Sequence, residues 1–159
     1  MTRTAVAVGV VCVLAALAPA AGASVPAQSA SAALSSNLAG AHPVALTVEL
    51  HYQMQCGSPG LGPVTLALPA TMSVPAKIAR SSVLVDGKIT PSLTRSGSKL
   101  MVGLPAQQGV VMCDSIGPGT LTIVVTRAAG IGNPDGAGTY ALAIEKGALT
   151  FGAKLRIRS

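Results

Sequence analysis

Between residues 44 and 56 the chain alternates without a break. Val44, Leu46, Val48, Leu50, Tyr52, Met54 and Cys56 take the even positions, and Ala45, Thr47, Glu49, His51, Gln53 and Gln55 the odd ones. Side chains of a strand point to opposite faces in turn, so this run defines a strand with one face in a core and one in water. A helix would scatter the same residues around its circumference. Gly57 to Pro63 (GSPGLGP) then ends the run as a loop.

The theme recurs downstream. Val64, Leu66 and Leu68 alternate before Pro69, and Val83 to Val85 lead into Asp86-Gly87, a strong hairpin dipeptide, and on to Ile89. Ser96-Gly97 marks another turn before Leu100, Val102 and Leu104. Leu121, Ile123 and Val125 form a further alternating set, as do Tyr140, Leu142 and Ile144. Leu149, Phe151, Ala153, Leu155 and Ile157 make the last. The pattern predicts seven or eight short strands and no amphipathic helix. The expected fold class is all-β, an antiparallel β-sandwich over residues 42–159.

Two segments precede that domain. Arg3 is followed by an uncharged run from Ala5 to Leu17, then Pro19 and the small residues Ala21-Gly22-Ala23. This is the layout of an export signal over residues 1–23, cleaved after Ala23, so the protein is expected to be secreted or extracytoplasmic. Contact with a membrane is expected only if the signal stays uncleaved. Residues 24–41 (SVPAQSASAALSSNLAGA) are rich in Ser and Ala and uncharged, and read as a flexible spacer.

Composition narrows the function. Half the 159 residues are apolar and 10% are charged, where about 25% is usual. Only Tyr52, Tyr140 and Phe151 are aromatic, which disfavours ring stacking on sugars or single-stranded nucleic acid. Removing the signal takes Arg3, so the net charge falls from +6 to +5. On the last strand Lys154, Arg156 and Arg158 share one face, opposite Leu155 and Ile157. That basic strand face suits an anionic cell-wall polymer or another envelope protein. It equally suits an edge strand defended by cations against sheet-to-sheet pairing. Nucleic acid is not expected as a partner, given export.

The cysteines fit the same compartment. Cys56 and Cys113 remain once Cys12 leaves with the signal, and an even number in an exported chain predicts one disulfide. Two free thiols or an intermolecular bridge are the alternatives. The bond would close a loop of roughly 57 residues, worth about 4 kcal/mol in the chain-entropy model.

Residues 128–142 read AAGIGNPDGAGTYAL. Ala129-Gly130-Ile131, Asn133-Pro134, Ala137-Gly138, Tyr140 and Leu142 resemble the AGIxNPxxAGxYxL stretch of a domain found in secreted bacterial surface proteins. Ser82 to Gly87 is similar to that domain's strand-and-turn before it, and Gly119 to Thr126 to one of its strands. The resemblance spans roughly residues 60–145 and implies an immunoglobulin-like, non-enzymatic module. This chain departs from it in carrying one copy, Asp86 where the turn usually has Asn, and a cysteine pair. Read directly, Tyr140 stands at a strand start just after a Gly-rich corner, the place of a tyrosine corner.

Residues with catalytic or ligating chemistry are few. His51, Met54 and Cys56, with His42, Met112 and Cys113 as further ligands, make a copper-type set. Strand parity opposes it, because His51 lies on the odd face and Met54 and Cys56 on the even one. No nucleophile elbow, zinc motif or paired-carboxylate spacing is present. No cofactor and no catalytic residue are therefore expected. The sequence points to a secreted, non-catalytic module that binds or builds at the bacterial cell envelope. The alternatives are a small exported metal-binding or carrier protein, and a hydrolase inhibitor presenting the 57–63 loop.

Overall fold

The computed structural model describes residues 28–53, 62–105 and 118–159. Among them ten strands form two antiparallel sheets of five. In chain order they are β1 (Ser29–Leu34), β2 (Leu46–Gln53), β3 (Val64–Ala67), β4 (Val83–Val85), β5 (Lys88–Ile89), β6 (Leu93–Ser96), β7 (Lys99–Val102), β8 (Pro118–Val125), β9 (Gly138–Lys146) and β10 (Leu149–Ile157). One sheet has the order β1-β2-β8-β4-β5 and the other β10-β9-β3-β7-β6.

The alternating run builds the centre of the first sheet. β2 pairs with β8 from Leu46 opposite Val125 to Gln53 opposite Pro118. Leu46, Val48, Leu50 and Tyr52 are buried, while Glu49 and His51 on the other face are exposed. The second sheet answers with Leu66, Leu100, Leu142 and Ile144, all fully buried. Each such aliphatic side chain contributes about 1.5–3 kcal/mol by leaving water. At the β4–β5 turn Asp86 (φ 48°) and Gly87 (φ 76°) both adopt left-handed backbone. That is the twist a two-residue hairpin needs. The Asp86 carboxylate accepts the Thr122 N–H at 2.8 Å, tying the turn to β8.

Two expectations need correction. The segment taken for a flexible spacer contains β1, which pairs with β2 along its whole length, from Ser29 opposite His51 to Leu34 opposite Leu46. Its Ala30, Ala32 and Leu34 pack on the core while Ser29, Ser31 and Ala33 face out. The strand exists because β2 offers it an open edge, not because its own residues are strong strand formers. The count also rises from seven or eight to ten, through β1 and the short strands β5 and β6.

The Gly-rich stretch makes a corner to which distant backbone is fastened. Val44 donates to the Ile131 carbonyl at 2.9 Å, Gly132 and Ser73 exchange both of their bonds, and Asn133 donates to Ala41. Gly132 is required there, because a Cβ would lie 2.8 Å from His42 Cδ2. Asn133 is 4% exposed. Its Nδ2 donates to the carbonyls of Ser36 and Leu38, at 2.8 Å each. The motif asparagine thus clasps the chain leaving β1.

The signal segment 1–23, Met54, Cys56, Met112, Cys113 and most of the 57–63 loop lie outside the described residues. No helix among the described residues is long and apolar enough to cross a membrane.

Candidate functional site

β1 and β10 are the edge strands of different sheets, and they run side by side along one flank of the sandwich. At one point they join. Leu38 and Arg158 form a parallel bridge, with Arg158 N–H donating to the Asn37 carbonyl at 2.7 Å and Ala39 N–H to the Arg158 carbonyl at 2.8 Å. Away from that bridge the strands part into a groove of about 480 Å³, lined by residues 32–37 and 154–156.

Strand geometry decides what the groove presents. The N–H and C=O of one residue point to the same side, and successive residues alternate. Arg158 uses both groups toward the β1 flank, so Arg156 and Lys154 turn their backbone groups the same way, away from β9. On the opposite wall Ser35 donates to Ala45 beside β2. Leu34 and Ala32 therefore turn theirs toward the groove. Among the described residues neither rim's backbone donors and acceptors have a ladder partner, as at sheet edges generally.

The side chains add charge. β10 buries Phe151, Ala153, Leu155 and Ile157 and exposes Lys154 and Arg156, and Arg158 just beyond its end is exposed as well. Arg127 Nε lies 3.4 Å from Ser35 Oγ, which brings a fourth cation to the β1 wall. Among the described residues no Asp or Glu lines the groove.

The other singled-out residues sit elsewhere. His51 is exposed on the outer face of β2, its Nδ1 3.4 Å from Thr120 Oγ1. His42 is at the Gly-rich corner, where Nε2 donates to the Gly130 carbonyl at 2.9 Å. The Tyr140 hydroxyl donates to the Gly136 carbonyl at 2.8 Å, tying the start of β9 to the loop before it. Lys146 closes the inward row of β9 and is 8% exposed. Its Nζ stands 4.6 Å above the Tyr52 ring, and burial lowers its pKa from the usual 10.5. Among the described residues no three His, Cys, Asp or Glu side chains come together as a metal site would require.

Sequence reasoning found the cations of the last strand and named Asn133 as a motif residue without its clasp, but missed the facing wall, Ser35, Ser36 and Asn37, and also Arg127. No periodicity marks those residues. The one available signal was the weak Ser/Ala alternation from Ser29 to Ala32.

The fold and its groove define a two-sheet antiparallel β-sandwich with a cationic seam between its edge strands. No family model matches the chain, and no curated protein matches it. Among solved structures it is similar to the crystal structure of BslA, a bacterial hydrophobin, at 19% identity and a TM-score of 0.47, over 82% of this chain and 98% of that one. At that distance the likeness carries no argument about role.

Proposed function

We infer that the protein is a secreted, non-catalytic, immunoglobulin-like module that acts by binding at the cell envelope. The observation that carries this reading is β10, which turns its apolar residues toward the core and leaves Lys154 and Arg156 exposed on a groove, with the exposed Arg158 just past its end. Three polar side chains elsewhere serve the framework. Asp86 holds Thr122, His42 holds Gly130 and Tyr140 holds Gly136.

Strand order supports the immunoglobulin-like part. The orders β1-β2-β8-β4 and β10-β9-β3 parallel A-B-E-D and G-F-C of seven-stranded immunoglobulin domains, with β5, β6 and β7 as additions. In that correspondence Tyr140 stands near the start of strand F. Leu142, two residues on, takes the place that antibody domains give to cysteine.

A Cys56–Cys113 disulfide belongs to the same proposal. The β2–β8 ladder ends with Gln53 opposite Pro118. Cys56 follows Gln53 by three residues and Cys113 precedes Pro118 by five.

Fractionation of expressing cells, with mass spectrometry of the purified chain, tests the reading. The expected result is a chain beginning at Ser24 in the envelope or the medium. A chain retaining Met1 and confined to the cytoplasm overturns it.

A further inference from the structure

We propose that the groove between β1 and β10 is a binding site for a linear polyanion of the envelope, with phosphodiester or carboxylate groups spaced about two strand residues apart. The proposal rests on the envelope-binding reading above and assigns a site and a ligand chemistry to it.

Spacing is the first argument. Residues two apart on a strand are separated by about 6.6 Å, so Lys154, Arg156 and Arg158 form a row of three charges at a fixed interval. An extended polymer with one negative group per repeat matches such a row, and a single small anion uses only one member of it. Charge complementarity is the second. Lys154 and Arg156 line the groove, Arg158 follows at its narrow end and Arg127 reaches Ser35 of its wall, and among the described residues no carboxylate lines it.

The rims supply the third argument. The backbone N–H groups of Ala32, Leu34, Lys154 and Arg156 face the groove with no ladder partner among the described residues, and N–H groups in that state donate readily to anionic oxygens. Cations on the rim disfavour the rival occupant, an added peptide strand, because Lys and Arg on a sheet edge oppose such pairing. The parallel bridge at Leu38 and Arg158 keeps one end of the groove narrow. The polymer therefore lies along the seam rather than across it.

The test uses the purified secreted chain and synthetic poly(glycerol phosphate), whose phosphates are one glycerol apart. Affinity is measured by calorimetry at several salt concentrations, and the site by amide chemical shifts. Three phosphate contacts give a slope of log K against log salt of roughly −2 to −3. The double variant Lys154→Gln/Arg156→Gln is expected to reduce the slope by about two. Lys77→Gln/Lys88→Gln removes the same charge away from the groove and is expected to leave the slope unchanged. Shifts are expected at Ala32, Leu34, Lys154 and Arg156.

Equal losses in the two double variants overturn the proposal, since net charge alone then explains binding. So do shifts confined to other surfaces. If vesicles of phosphatidylglycerol in phosphatidylcholine bind the protein and the polymer does not, the groove proposal falls and the envelope reading stands as a membrane contact. If neither probe binds and the protein is absent from envelope fractions, both fall.

Discussion

Asn133 shows how one side chain can organise a corner. Its two amide hydrogens meet the carbonyls of Ser36 and Leu38, and its backbone N–H meets Ala41. Its Oδ1 has no partner among the described residues. Turning the amide over would set an oxygen against two carbonyls, so the observed orientation is the favourable one. Asn133→Asp makes that reversal chemically and is expected to lower unfolding free energy in urea by about 2–3 kcal/mol. A loss no larger than that of an exposed substitution would mean the clasp is idle. Lys146 offers a second test at this scale. Burial holds its pKa below 10.5, so the folded chain releases that proton before the unfolded chain does. The unfolded state then binds more protons in the window below 10.5, and stability rises with pH there. Tyr52, whose pKa is raised from 10.0 by burial and then by Asp86, acts with the opposite sign once pH passes 10.0. Urea midpoints collected up to that point should climb in the parent protein and stay flatter in Lys146→Met.

Among the elements, β1 and β2 differ in how openly the sequence declares them. β2 alternates large apolar residues with polar ones, so each inward position carries a strong signal. The Asp86-Gly87 hairpin was equally legible, because its left-handed backbone narrows the usable residues. β1 alternates Ser with Ala, and burying a methyl group contributes too little to stand out locally. What makes it a strand is the open edge of β2, a partner whose Leu46 lies twelve residues beyond Leu34. Limited proteolysis separates the two descriptions. A folded β1 leaves a resistant fragment that still contains Ser29, whereas a free spacer would be trimmed to about residue 42. The groove was half legible for a related reason. Its cations lie in one alternating strand, but its facing wall belongs to β1, and nothing local predicts that two strands from opposite ends of the chain meet.

For the whole molecule, the proposed Cys56–Cys113 disulfide would add to an aliphatic core. A core with so few rings makes a crosslink of about 4 kcal/mol a large share of a net stability of about 5–15 kcal/mol. On that proposal, protein purified from an oxidising compartment should show no reactive thiol under denaturing, non-reducing conditions. Its thermal midpoint should fall by several degrees or more on reduction. Two titratable thiols in the unreduced chain would refute the pairing. The bridge between Leu38 and Arg158 has a mechanical consequence. Its strands run the same way, so tension between residue 28 and Ser159 drags them past each other lengthwise. The bonds at Asn37, Ala39 and Arg158 then carry load simultaneously instead of opening in succession. A molecule stretched in that direction is expected to resist by shear at this seam before any strand peels away.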